Sequence, residues 1–201
     1  MFVDEGDYRD YLQRLAQTAA QQQVQIHGYC LLPQAVWLLL RPADCRGLSA
    51  LMQILARCAS RRRGQGAAAW QGRFRTALVQ EPSWLLPALV AVDRAAASEG
   101  LCGDAAAWPW SSLAHHAGSQ SVAWLREAAA YWDLGNTPYA REAAYAGLLA
   151  ADAARQQWPR LLQAVQGGWA LGDAAYLEWA EARVGRALRP RPRGRPRRAD
   201  D

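Results

Sequence analysis

Lysine is absent from this sequence: all 23 of its basic residues are arginine. Histidine occurs three times, phenylalanine and methionine twice each. No apolar run approaches the roughly 20 residues that crossing a bilayer requires, so no membrane association is expected. Residues 1–7 lack the basic region and apolar stretch of a secretory signal, which predicts a cytoplasmic protein. Cys30, Cys45, Cys58 and Cys102 form no Cys-x-x-Cys pair, which argues against a zinc site and against a disulfide framework. They read as buried or idle thiols.

What is present is a chain of 201 residues, 51% hydrophobic, enough for one ordinary core with an appended segment. The charge is unevenly placed. Residues 185–201 hold seven arginines against two aspartates, which accounts for the whole net charge of +5 and leaves the remainder balanced. A concentrated positive charge points to a polyanionic partner.

Asp4 and Asp7 offer caps for a helix whose apolar residues Tyr8, Tyr11, Leu12 and Leu15 recur at helical spacing up to Gln21. Residues 24–32 and 36–40 are apolar, partly β-branched runs around Pro33-Gln34, which predicts two antiparallel strands. Leu48, Leu51, Met52, Ile54 and Leu55 trace a second helix, stopped by Gly64 and Gly66. Residues 70–79 read as extended and residues 83–97 as a helix. Residues 108–112 read as irregular, and 121–131, 139–150, 158–165 and 173–184 as further helices, with breaks at Gly135, Pro138, Pro159 and Gly167-Gly168. Beyond Leu188, alternating proline and arginine offer no apolar surface, so a disordered tail is expected there.

Residues 27–42, His-Gly-Tyr-Cys-Leu-Leu-Pro-Gln-Ala-Val-Trp-Leu-Leu-Leu-Arg-Pro, resemble the signature strand pair of the REP-associated tyrosine transposases, which are HUH-type enzymes of single-stranded DNA. That family writes His-Ala-Tyr-Val-Leu-Met-Pro-Asn-His-Val-His-Leu-Leu-Leu. Similar pieces follow in the same order: Leu48-Ser49, Leu51-Met52-Gln53, Trp70 to Phe74, Gly100-Leu101, Trp108 to Ser112, Gly168 to Gly172 and the Arg193 to Arg197 tail. The resemblance implies an α+β fold with a ferredoxin-like antiparallel sheet and packed helices over residues 1–117. A helical extension over 118–185 and a disordered basic tail over 186–201 follow. The family's first strand, an inner one, has no counterpart here, which predicts unpaired backbone groups on its neighbours.

The resemblance also implies chemistry that these residues do not support. The family binds a divalent metal through two histidines on one strand, and Ala35 and Trp37 stand at those positions. Alanine has no donor atom, and the indole nitrogen has no lone pair to offer a cation. The nucleophilic tyrosine's equivalent is Ala91, and no tyrosine occurs between Tyr29 and Tyr131. Tyr8, Tyr11, Tyr29 and Tyr131 lie elsewhere. Without a phenolic oxygen no phosphotyrosyl intermediate forms, so no strand cleavage, catalytic residue, metal or other cofactor is expected.

Binding is expected to outlast catalysis. Arg61, Arg62 and Arg63 with Trp70, Gln71, Arg73 and Arg75 combine basic and aromatic side chains suited to single-stranded or hairpin DNA. The bland alternative is a solvated helix end beside a core tryptophan. Arg193, Gly194, Arg195, Pro196 and Arg197 resemble an AT-hook, which enters the minor groove of A·T-rich duplex, against the alternative of a nonspecific polyanion-binding tail. Trp108 and Trp110 read as core, His27 as a structural strand residue, and His115-His116 as lacking a third ligand. Three functions compete: a DNA-binding protein without catalysis, an active transposase with a rearranged site, and the product of a decaying gene. A homodimer is expected by analogy with the family.

Overall fold

A computed structural model describes residues 2–62, 70 and 72–190, apart from the side chains of Arg62, Asp152 and Ala154. Expectations placed on Arg63, Gly64, Gly66, Gln71, Arg193, Gly194, Arg195, Pro196 and Arg197 lie outside the described residues. The chain is mixed α+β. Its elements are α1 (Glu5–Gln21), β1 (Val24–Leu32), β2 (Ala35–Pro42), α2 (Cys45–Arg62), β3 (Leu78–Val79), α3 (Leu85–Asp93) and α4 (Ala95–Ser98). A single 3-10 turn (Ala105–Ala107) leads to α5 (Leu113–His116), α6 (Ala129–Trp132), α7 (Pro138–Ala150), α8 (Asp152–Gly167), β4 (Ala170–Leu171) and α9 (Ala174–Val184).

The first helix starts on reciprocal caps. Asp4 accepts from the Asp7 N–H at 2.9 Å, which satisfies a backbone donor left over in the first turn, and Asp7 Oδ2 accepts from the N–H of Val3, just ahead of the cap, at 2.8 Å. Gln23, at φ 53, turns the chain from α1 into β1. The two strands pair antiparallel from Val24 opposite Pro42 to Leu32 opposite Ala35. Strand side chains alternate between faces, and here both faces are apolar because helices cover both. Val36, Leu38 and Leu40 join Val24, Ile26, Tyr29 and Leu31 on the face packed with Leu15, Leu51 and Leu55 of α1 and α2. Ala35, Trp37 and Leu39 join Cys30 and Leu32 on the other, against Leu89 of α3 and Leu161 of α8.

The register shifts between Ile26 and Gly28, and the bulge brings backbone close to α3. A Cβ at Gly28 would lie 2.6 Å from Leu89 Cδ1 and 3.2 Å from Ser112 Oγ, so only glycine fits without displacing one of them. The far edge of β1 is covered in part. Leu31 N–H donates to Trp110 O at 2.8 Å, Ser112 N–H to Tyr29 O at 2.9 Å, and Arg126 N–H to Ile26 O at 2.9 Å. Among the described residues, no strand pairs with the other edge of β2.

The structure departs from the sequence expectations in four places. Residues 70–79 are extended only at Leu78–Val79, which pairs parallel with β4; residues 72–77 form no strand. Residues 121–131 are helical only from Ala129, because Val122 and Leu125 pack against the α1 and α2 side of the hairpin while Arg126 binds β1 through its backbone. Pro159 lies inside α8 instead of breaking it. A proline there costs about 3 kcal/mol, and burial of Trp158, Leu161 and Ala164 on α3 offsets it. The packed chain also runs further than Leu188, as the clasp described below makes plain.

Candidate functional site

Of the positions at which the family resemblance places a metal and a nucleophile, the two ligand positions pack at the edge of the core and the nucleophile position lies inside it. Ala35 and Trp37 sit two apart on β2 and point to the same side, half-buried. The Trp37 ring meets Trp158 of α8 edge-on, with centroids 4.7 Å apart. Ala91 is 0% exposed in α3. A methyl group and an indole present no donor to a cation, so these residues do not fit a divalent metal. Among the described residues, no group of three histidine, cysteine or acidic side chains is placed to hold one.

Next to Ala91 lies a polar network that sequence reasoning missed. Asp93, the last residue of α3, is fully buried. Its Oδ1 accepts from the Ser112 hydroxyl, and its Oδ2 accepts from the Tyr145 phenol at 2.6 Å and lies 2.7 Å from His116 Nδ1. Ser112 Oγ in turn accepts from the Tyr29 N–H at 2.8 Å, and the Tyr131 phenol donates to His116 O at 2.7 Å. The four side chains come from α3, the start of α5, α5 and α7, and α7 reaches the centre of the molecule through Tyr145.

Serine, histidine and aspartate together suggest a hydrolytic triad, yet the order is wrong for one. In a triad the imidazole stands between hydroxyl and carboxyl and takes the hydroxyl proton; here the carboxyl stands between the other two. Ser112, Asp93 and Tyr145 are 0% exposed and His116 is 1% exposed, so no substrate reaches them. The network holds elements together. Burial drives the Tyr145 phenol well above its ordinary pKa, and the adjoining Asp93 adds to this.

The basic and aromatic residues singled out in the sequence are divided by the fold. Arg61 is exposed at the end of α2. Trp70 is half-buried against the core beneath α1 and α2, with its indole nitrogen enclosed and without a hydrogen-bond partner among the described residues. Arg73 and Arg75 are exposed on the segment leading to β3, and Arg75 Nη1 donates to Gln166 O at 3.3 Å near the end of α8. Arg62 lies in the last turn of α2.

A clasp forms where the basic tail was expected to begin. Leu188 is 1% exposed, and Ala170 N–H donates to its carbonyl at 2.9 Å. Arg189 grips Glu181 of α9 with two nitrogens, at 3.0 and 2.8 Å, and the Leu188 N–H donates to the same carboxylate at 2.8 Å. These donors hold the Glu181 carboxyl below its usual pKa. Residues 186–189 therefore belong to the packed chain. Arg186 Nη2 donates to Gly168 O at 2.8 Å, just past α8. Both Arg75 and Arg186 thus neutralise carbonyls at the negative end of that helix.

The face of α9 above this clasp is aromatic and basic. Trp179 is 54% exposed, its ring stacks with Tyr176 at 5.6 Å, and the Arg183 guanidinium lies 5.0 Å from its centroid. The one signal for this in the sequence is the Tyr-x-x-Trp-x-x-x-Arg spacing, which puts three side chains on one helix face.

The remaining candidates are structural. His27 is buried on β1, its Nδ1 2.6 Å from Arg126 O. His115 Nδ1 accepts from the Val122 N–H at 3.3 Å, while Nε2 lies 3.5 Å from Glu127. Burial, and then the neighbouring His116, lower the His115 pKa. Trp108 donates to Leu31 O at 3.0 Å, and Trp110 stacks on Tyr8 at 4.7 Å. The four cysteines are free, and burial pushes the Cys30 thiol up to about 12.

Among the described residues, no helix is long and apolar enough to cross a membrane. No protein-family model matches the chain, and no curated protein or solved structure does.

Proposed function

We propose that this chain binds single-stranded or hairpin DNA without cleaving it, as a degenerate relative of the REP-associated tyrosine transposases. The observation that supports this most is the fate of residues 24–42. The stretch that resembles the family's signature forms one antiparallel hairpin, and its two would-be ligand positions, Ala35 and Trp37, pack against the same hydrophobic cluster, Trp37 meeting Trp158 of α8. The ancestral sheet would be ferredoxin-like. On this reading β1 and β2 would be its preserved half, and a further strand would pair along the edge of β2 that no strand pairs with among the described residues.

The proposed cleavage defect follows from side-chain chemistry. Ala91 supplies no nucleophile, and Ala35 and Trp37 offer no donor to a metal that would polarise a phosphate. What remains for DNA is charge and stacking: Arg61, Arg73, Arg75 and the arginines of residues 185–201. The Arg193 to Arg197 stretch would add affinity for A·T-rich duplex. This role implies a cytoplasmic location beside the chromosome and, by analogy with the family, a homodimer.

The test is binding of the full chain to a labelled repeat hairpin and to a scrambled strand of equal length, across a salt titration. Tail arginines 191, 193, 195, 197 and 198 are changed to glutamine in a parallel variant to remove generic charge. Preferential hairpin binding by that variant supports the proposal. Equal or absent binding to both strands would leave only tail electrostatics and favour a decaying gene product.

A further inference from the structure

The helix α2 contains no acidic residue from Cys45 to Arg62. Arg46, Ser49, Gln53, Arg57 and Arg61 are all exposed, and at about 100° per residue they fall within about 60° of one line along the helix. Leu51 and Leu55 point the other way, into the core shared with α1 and the hairpin. Arg14 of α1 is exposed too, and its Nη1 lies 3.9 Å from Cys58 Sγ, so it joins the Arg57 end of the stripe.

Among the described residues, no carboxylate lies within ion-pair distance of Arg14, Arg46, Arg57 or Arg61. Glu5 of α1 is paired with Arg9, and Asp44 accepts from the Gly47 N–H at the start of α2. The stripe works against its own helix in two places. Arg46 stands in the first turn, at the positive end of the helix dipole, and Arg57 and Arg61 are like charges four residues apart. Helix faces that serve only stability carry acids in the first turn and mix the two signs. Local rules broken in one direction mark a surface kept for binding.

What the stripe holds follows from its chemistry. None of its five side chains is aromatic or apolar, so it gives a base no stacking platform and a lipid surface nothing to take up. It presents guanidinium, hydroxyl and amide donors on a rigid rod, the groups that bind the phosphate oxygens of a nucleic-acid backbone. Arg46 and Arg57 stand about 16 Å apart along the axis, a span that extended side chains fit to the two phosphate rows flanking a major groove about 12 Å wide. Arg57 and Arg61, about 6 Å apart along the axis, follow one of those rows.

We propose that the exposed face of α2, with Arg14 of α1, grips the double-stranded stem of a DNA hairpin through its phosphates, whatever the base sequence. This rests on the DNA-binding role proposed above and names the surface and the part of the DNA it holds. A single strand has no second phosphate row at a fixed distance, so it engages fewer of these arginines.

The experiment uses the full chain and fluorescein-labelled DNA, read by anisotropy from low to moderate salt. The probes are two hairpins of unrelated sequence, each with a stem of about 10 base pairs or one helical turn, and an oligothymidylate of equal length. Arg57→Gln with Arg61→Gln is expected to weaken both hairpins by about tenfold or more and to reduce their salt slope by about 0.9 per arginine. Arg46→Gln alone should reduce the slope by about 0.9, and oligothymidylate binding should change by less than about twofold in all these variants. Arg155→Gln with Arg160→Gln removes the same charge from exposed positions on α8 and should leave hairpin binding within about twofold. Arg46→Gln should melt at or above the wild type, because it removes a cation from the positive end of α2.

Equal losses in the α2 and α8 variants would overturn the surface and leave DNA binding to net charge alone. A loss on oligothymidylate as large as that on the hairpins would overturn the assignment to the stem. A larger loss on vesicles of phosphatidylglycerol and phosphatidylcholine than on the hairpins would overturn it in favour of an anionic lipid surface. Failure of the wild type to bind any of the three DNAs would remove the DNA-binding role itself.

Discussion

Tyr145 and Asp93, 52 residues apart in sequence, meet at 2.6 Å in the centre of the molecule, both fully buried. This contact ties α7 to α3 and sets the first expectation. Tyr145→Phe leaves the ring packing intact but removes a donor from a buried carboxyl that also binds Ser112 and His116. The loss should be about 1–3 kcal/mol by urea denaturation. Asp93→Ala, which strands three partners at once, should cost more. A double-mutant cycle between Asp93→Asn and Tyr145→Phe should show coupling; strict additivity would mean the two side chains do not act together.

The second expectation concerns Trp158. Its ring closes over Trp37 and its indole N–H donates to Glu99 at 3.2 Å. Trp158→Ala should destabilise the chain by about 3–5 kcal/mol, the range for emptying a large aromatic site. A change under about 1 kcal/mol in thermal or urea melts would show that α8 does not seal this face of the hairpin.

Leu188 gives the third. Leu188→Ala should lower stability by about 2–5 kcal/mol, a core-like penalty at a position where the sequence promises only a solvated tail. Differential scanning fluorimetry on the full chain would detect it, and an unchanged melting temperature would place the clasp outside the cooperative unit.

Acid should weaken the fold before the carboxyl range is reached. His115 has its pKa lowered in the folded state by burial, so the folded chain resists a proton that the unfolded chain accepts. The stability this contributes is present above the unfolded value of about 6.5 and is lost as pH falls through the folded value. Urea midpoints measured from pH 7.5 to 5 should therefore decline, and His115→Gln should flatten part of that decline. Midpoints that rise over the same interval would contradict the direction.

At high pH the sign reverses. Burial raises the Cys30 thiol to about 12 and the Tyr29 phenol to about 12, so both favour the folded state while protonated. Their contribution is complete below the unfolded thiol value of about 9 and declines as pH rises through the folded values. A thiol reagent should label exposed Cys45 quickly and Cys30 only on unfolding. Rapid labelling of Cys30 in the native chain would show that β1 is not enclosed.

The hairpin and the principal helices were legible in sequence because burial follows simple periods there: alternate residues of β2 serve two cores, and Leu85, Leu89 and Val92 repeat along α3. Residues 121–128 were misread because Val122 and Leu125 have helical spacing, while the actual determinant was the exposed edge of β1, which Arg126 satisfies. Pro159 misled for a related reason: local propensity predicts a break, and long-range burial of Trp158 and Leu161 overrides it. Asp93, Ser112, His116 and Tyr145 are too far apart in sequence for any pattern to join them. The α9 face was missed because charge density drew notice to the arginines beyond it, whereas the Trp179–Arg183 stack depends on only two residues.

The most direct measurement incubates the full chain with a labelled single-stranded hairpin and magnesium or manganese, then resolves the products under native and denaturing conditions. Binding without cleavage predicts a retarded native complex, intact DNA after denaturation, and no adduct that survives detergent. A nicked strand or a detergent-stable protein–DNA adduct would contradict it and would require a nucleophile other than the residue at position 91.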